Sequence, residues 1–189
     1  MVKKYDNNFL YLVCGRKKSG KTTLCKNIIS QSERKAVIYQ SLKDTTFNTF
    51  EKIKSNDFEK ENTGKKRTSE AFIEYEDFLF YCINKVKQSN ILIDDFTGYE
   101  ADKISKPFKK LISRNRHNEN NIFIITHSLS DTPKRLFFYC DKLILFKTAD
   151  QLQELEYTKR RYPQFDEIYK AVKDLNKNGN AHAHIKINL

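Results

Sequence analysis

The sequence predicts a three-layer α/β fold with a mainly parallel central sheet, and three observations predict it. Five short runs, at residues 9–15, 35–41, 90–96, 121–128 and 141–147, are continuously or nearly continuously apolar and carry β-branched residues. Continuous rather than alternating runs mark strands buried on both faces, as parallel strands are. Segments of helical spacing alternate with these runs, which is the order that strand–helix–strand crossovers produce. The first run also passes through a loop with two glycines, GRKKSGKT, directly into a helical segment.

Taken in chain order, FLYLVCG (9–15) is the first strand, and residues 21–31 are the helix beyond the loop. KAVIYQS (35–41) is the second strand. The polar segment 42–69, which includes ENTGKKRT, is read as a surface loop or insertion, and loops of that length are often functional. A helix over 70–87 carries Phe72, Tyr75, Leu79, Ile83 and Val86 on one face. NILIDDF (90–96) is the third strand. The helix over 102–114 has Ile104, Phe108, Leu111 and Ile112 on one side and lysines on the other. NIFIITHS (121–128) is the fourth strand. Near 131, DTPKRL offers Asp131 or Thr132 as a cap and Pro133 in a first turn. DKLILFK (141–147) is the fifth strand. YPQFDEIYKAV repeats the helix-start signature at Pro163, with Asp166 and Glu167 near the positive end of the dipole. Residues 163–189 are thus a C-terminal helix and a tail, NGNAHAHIKINL, that can end in an edge strand.

Composition narrows the class. The 189 residues, 39% hydrophobic and 13% aromatic, predict one folded domain over 1–189 with its own core. No apolar run reaches the roughly 20 residues of a membrane span, and the apolar start lacks a cleavage site, so an intracellular protein is expected. Cys14, Cys25, Cys82 and Cys140 stand alone without a C-x-x-C pair, which points to small core fillers in a reducing compartment. The net charge of +11 favours a polyanionic partner, since each neutralised phosphate releases a counterion.

The loop carries the strongest signal. GRKKSGKT meets the full G-x-x-x-x-G-K-[ST] pattern at Gly15, Gly20, Lys21 and Thr22. In that pattern backbone amides turn inward around phosphates, the lysine reaches the β- and γ-phosphates, and the threonine hydroxyl holds Mg²⁺. Gly15, Arg16, Lys17, Lys18, Ser19, Gly20, Lys21, Thr22 and Thr23 are therefore expected to bind a nucleoside triphosphate, with the following helix pointing its positive end at the same anion. This is a P-loop NTPase signature.

What the grip serves is decided by the other strand ends. NILIDD closes on Asp94 and Asp95, two carboxylates at the edge beside the loop: one to support Mg²⁺, the other to polarise an attacking water. DFTG (95–98) mimics the D-x-x-G of a GTPase switch, but no N-K-x-D follows: NKVK at 84 precedes it and NKNG at 176 lacks the aspartate. The chain length suits a nucleotide kinase, which needs an arginine-rich lid rather than a second acid. Arg114 and Arg116 end a basic helix, and Thr126, His127 and Ser128 end the next strand. A strand cap and a solvated helix end are the plain readings of these. The sharper ones are a side chain sensing the γ-phosphate and an arginine finger reaching a neighbouring subunit.

SRNRHNENNIFIITHS, with GRKKSGKT and ILIDD, resembles the FtsK/HerA superfamily, and more narrowly the small genome-packaging ATPases of viruses with double-jelly-roll capsids, the poxvirus-like viruses and internal-membrane phages. RYPQFDEIYKAV is similar to that group's C-terminal helix, and the resemblance spans roughly residues 9 to 175. It implies a RecA-like, additional-strand fold and an ATP-hydrolysing, DNA-translocating motor that packages a viral genome into a preformed capsid. Lys21 and Thr22 would hold ATP and Mg²⁺, Asp94 the metal and Asp95 the water. Arg114 or Arg116 would act in trans in a homo-oligomeric ring, and His127 or Thr126 would sense the γ-phosphate. Capsid or capsid-vertex proteins are the implied partners, and the host cytoplasm, with virion association, the implied location. The acidic pair here is Asp-Asp and the sensor pair Thr-His, where many superfamily members carry Asp-Glu and a glutamine.

Three basic clusters are candidates for sequence-independent contact with a DNA backbone: Lys103, Lys106, Lys109 and Lys110 with Arg114 and Arg116, then KKR at 65–67 on the long loop, and KRR at 159–161. His182 and His184 lack the neighbours of a metal site. The alternatives to a packaging motor are a nucleotide kinase, a filamentous-phage assembly or export ATPase of the same superfamily, and a nucleic-acid-binding protein regulated by nucleotide.

Overall fold

The computed structural model describes residues 8–40, 46–53, 64–67, 74–100, 103–151, 153, 155–156 and 165–189. In chain order the strands are β1 (Leu10–Cys14), β2 (Lys35–Tyr39), β3 (Glu51–Lys52), β4 (Lys65–Arg67), β5 (Ser89–Ile93), β6 (Asn121–Thr126), β7 (Lys142–Phe146) and β8 (His184–Asn188). The helices are α1 (Lys21–Gln31), α2 (Tyr75–Lys85), α3 (Lys106–Asn115) and α4 (Phe165–Lys177). The strands form one sheet in the order β3-β4-β2-β5-β6-β1-β7-β8, parallel throughout except for antiparallel β8.

The central strands are buried along their whole length because each lies between neighbours and under helices on both faces. Alternation then splits them between two cores. Tyr11 and Val13 join Cys25, Ile28 and Ile29 of α1 on one face. Leu10 and Leu12 join Leu79, Phe108, Leu111 and Val172 on the other, under α2, α3 and α4. The result is the expected helix–sheet–helix arrangement. The four thiols fill these cores, and burial pushes the Cys14 thiol up to about 12 and raises the other three as well.

Asparagines fasten the amino-terminal edge of the sheet. Asn121 accepts from the Phe9 N–H at 3.1 Å and donates to Asn90 at 3.0 Å. Asn120 accepts from the Ser89 N–H at 3.0 Å and donates to the Val86 carbonyl at 2.9 Å. Each buried amide thereby satisfies backbone groups that strand starts leave open. At the start of α3, Ser105 caps the Phe108 N–H at 3.2 Å and donates to the buried Glu100.

Three expectations are corrected. The segment 42–69 is more than a surface loop. Within it, β3 and β4 extend the sheet, and Phe47 and Phe50 anchor them in the α1-side core. KKR at 65–67 accordingly forms β4, with Lys66 buried, because alternation along a strand turns its middle residue away from its neighbours. Near 131 the chain makes a 3₁₀ segment, Lys134–Phe138, behind Pro133 and no α-helix. Its length is curtailed because Asp141 is held to β1, donating its N–H to the Leu10 carbonyl at 3.0 Å and accepting from the Leu10 N–H at 2.8 Å. The tail forms the antiparallel edge strand β8, with Phe146 opposite His184. Phe72, Pro163 and the KRR cluster at 159–161 lie outside the described residues.

Phe108 is fully buried, with its ring 4.9 Å from that of Phe96. Phe108→Ala is expected to cost about 3–5 kcal/mol in urea unfolding, whereas Phe80→Ala, at a side chain 66% exposed, is expected to stay within about 0.5 kcal/mol.

Candidate active site

β1 delivers its chain end between two neighbours, and the loop is built on that pairing. The Gly15 N–H reaches the Thr126 carbonyl at 3.3 Å and the Arg16 N–H the Lys147 carbonyl at 2.9 Å. A side chain at Gly15 has no room, since its Cβ would fall 2.5 Å from that of Phe146 on β7. The loop then turns through left-handed conformations at Lys18 (φ 64°) and Gly20 (φ 94°), the second of which suits glycine. Gly20 is the N-cap of α1, and no acidic side chain lies in the first turn, which leaves that turn's amides available to an anion.

Lys21 opens α1 and is buried. Its ammonium donates to the Gly15 carbonyl, to the Arg16 carbonyl at 3.0 Å, and faces His127 Nδ1 at 3.3 Å. Burial lowers its pKa, and Asp94 and Asp95 pull it back up. His127, just past β6, is half-buried, and its Nε2 lies 3.5 Å from Asp95 Oδ1. Burial and then Lys21 lower the imidazole below the ordinary 6.5, against a smaller opposite pull from Asp95. A neutral imidazole facing an ammonium at Nδ1 must accept there, so its proton sits on Nε2, toward Asp95. Lys21, His127 and Asp95 therefore form a polarised row across the ends of β1, β6 and β5.

The two carboxylates leave β5 in different ways. Asp94 continues the ladder, its N–H donating to the Tyr39 carbonyl at 3.0 Å, and its Oδ1 accepts from the Asp95 N–H at 3.0 Å. Asp95 adopts φ 51° and caps the turn Phe96–Gly98. That left-handed backbone is one aspartate tolerates better than most residues, and it turns the chain sharply at the end of β5. Both aspartates line a cleft of about 350 Å³ with Lys17, Lys18, Thr22 and His127. Thr22 and Asp94 supply hard oxygen donors in one cleft, which fits Mg²⁺.

The remaining candidates separate. Ser19, Gly20, Lys21, Thr22 and Thr23 share the cleft, and exposed Arg16 sits at the loop's start. Thr126 does not reach it: the residue is fully buried and its hydroxyl pairs with that of Thr132 at 3.2 Å. Arg114 and Arg116 stand at the other end of the sheet, at the carboxyl end of α3. Arg116 lies 3.9 Å from Asp141, ahead of β7. The six residues of β6 separate the two edges, roughly 20 Å at about 3.3 Å per residue. Lys103, Lys106 and Lys110 are exposed before and on α3. Two neighbours of the loop were missed in the sequence. Thr46 lines the cleft from the long polar segment, and His182 lies against the loop. No local pattern marks either one.

No protein-family model matches the chain, and no curated protein matches it. Solved structures do. The genome packaging NTPase B204 from Sulfolobus turreted icosahedral virus 2, in complex with ATP-gammaS, superposes with a TM-score of 0.76 at 16% identity, covering 96% of this chain and 92% of that one. The same protein with AMP gives 0.75 at 14%, over 95% and 92%. B204, the DNA-packaging ATPase from Sulfolobus turreted icosahedral virus, gives 0.70 at 14%, over 97% and 93%. The chain has the P-loop NTPase fold that these proteins share.

In an NMR titration, His127 is expected to protonate below 6.5, the ordinary histidine value. Lys21→Met should raise that midpoint, because it removes a neighbouring positive charge, and Asp95→Asn should lower it further. Gly15→Ala is expected to cost about 1–3 kcal/mol in thermal unfolding through overpacking against Phe146, with nucleotide affinity falling alongside.

Proposed function

We propose that the chain is an ATP-hydrolysing, DNA-translocating motor that packages a viral genome into a preformed capsid. The observation that carries this reading is the row Lys21–His127–Asp95 at the mouth of the phosphate loop. A phosphate grip alone is compatible with binding or transfer, but a carboxylate aligned beside the grip suits activation of water. A fold like that of B204 over 96% of the chain supports assigning the hydrolysis to packaging.

In this reading Lys21 leaves the loop carbonyls for the β- and γ-phosphates, and the amides of Gly20 to Thr23 hold the anion at the start of α1. Thr22 and Asp94 hold Mg²⁺, which offsets charge on the phosphate oxygens when bound. Asp95, oriented by the Nε2 proton of His127, accepts the proton of the attacking water. His127 reports on the γ-phosphate through Lys21, the partner it shares with that phosphate. Thr126 supports the site from below through its carbonyl. Arg114 or Arg116 completes a neighbour's site in a homo-oligomeric ring, since both are exposed at the far edge of their own subunit. The lysines of α3 contact the DNA backbone, and capsid or capsid-vertex proteins receive the ring. The whole chain acts as one domain in the host cytoplasm and on the virion.

Phosphate release from ATP is expected to rise with double-stranded DNA and to fade with salt. Asp95→Asn should lower it by about 10²–10⁴-fold. Hydrolysis indifferent to DNA, or transfer of phosphate to a nucleoside monophosphate, would sink the motor reading and favour a kinase.

A further inference from the structure

The two flanks of the phosphate loop are furnished differently. On the β6–β5 side stand His127 and the aspartates, the groups suited to a terminal phosphate. On the β7–β8 side stands the turn that leads into β8. Because β8 runs antiparallel to β7, with His184 opposite Phe146, it enters the sheet at the same edge where β1 delivers the loop. The turn is set by side chains. Asn178 accepts from the Asn180 N–H at 2.8 Å, and Asn180 accepts from the His182 N–H at 2.9 Å. This fixes His182 over the loop. A Cβ on Gly20 would fall 2.9 Å from its Nδ1, which itself lies 3.2 Å from the Ser19 carbonyl. A carbonyl only accepts, so in the neutral ring Nδ1 carries the proton and Nε2 is an open acceptor. His184 turns instead to the Phe146 ring, 5.0 Å away, and does not share this position.

We propose that His182 is the nucleoside-contacting residue of the site, a proposal that rests on reading the site as a nucleoside-triphosphate hydrolase. A triphosphate laid along the loop with its terminal phosphate toward Asp95 has its sugar and base on the β7–β8 flank. There the exposed imidazole offers a flat face for stacking and an acceptor at Nε2. A purine base, with a flat ring and an exocyclic amine, matches both features. The turn into the C-terminal strand thereby supplies the part of the site that the phosphate loop cannot, a surface that distinguishes a nucleotide from bare phosphate.

Calorimetric binding of Mg-ATP and of Mg-tripolyphosphate by the full chain, by His182→Ala and by His182→Phe tests this. Loss of one stacked ring is expected to weaken ATP about tenfold, with tripolyphosphate within about twofold and with His182→Phe recovering most of the loss. An equal loss for both ligands would show that His182 serves only to shape the loop, and unchanged ATP affinity would show that it touches nothing; either overturns the proposal. A wild-type chain that binds tripolyphosphate as tightly as ATP overturns the nucleoside contact alone. A wild-type chain that binds neither overturns the hydrolase reading with it.

Discussion

The side-by-side parallel pairing of β5, β6 and β1 is the constraint from which the site follows. Ile93 pairs with Ile124, and Cys14 with Thr126, so three chain ends emerge together at one edge. Parallel strands deliver their carboxyl ends to the same side. Lys21, Asp95 and His127, some 106 residues apart at the extremes, meet there with no local bonding to bring them together. The apolar registers do that work, because slipping a strand by one residue would turn a buried row toward the opposite core.

The opposite edge is organised by a different chemistry. Where the carboxyl edge holds charge in a cleft, the amino edge holds neutral asparagines that close backbone hydrogen bonds. This is the physical meaning of much of the polar string before β6. Asn118, Asn120 and Asn121 are buried supports, while Arg114 and Arg116 ahead of them are exposed.

Within the cleft the electrostatics favour orientation over stability. His127 and Asp95 are 35% and 38% exposed, so solvent screens their attraction to no more than about 1 kcal/mol. The buried Lys21 is different: its ammonium is satisfied by two loop carbonyls and a neutral imidazole, and a second positive charge at that imidazole would oppose it. The neutral ring lets one side chain link a cation to a carboxylate. A protonated ring could not accept from the lysine, and the row would lose its direction.

The sequence by itself determined the five central strands and the grip. Five apolar runs became β1, β2, β5, β6 and β7, and GRKKSGKT with the paired aspartates located the cleft, because period and spacing are local properties that a chain displays without its neighbours. Helix extents, the 3₁₀ turn at Lys134–Phe138 and the strands β3 and β4 were less legible. They are set by distant anchors, such as Asp141 on Leu10 and Phe47 in the α1-side core. Choosing between Thr126 and His127 also required the tertiary structure: adjacent residues at a strand end point to opposite sides, and only the surrounding packing shows which side is the cleft. The same holds for His182. Its place over Gly20, 162 residues away in sequence from that loop glycine, depends on β8 closing the sheet antiparallel beside β7, a long-range pairing that no short pattern encodes.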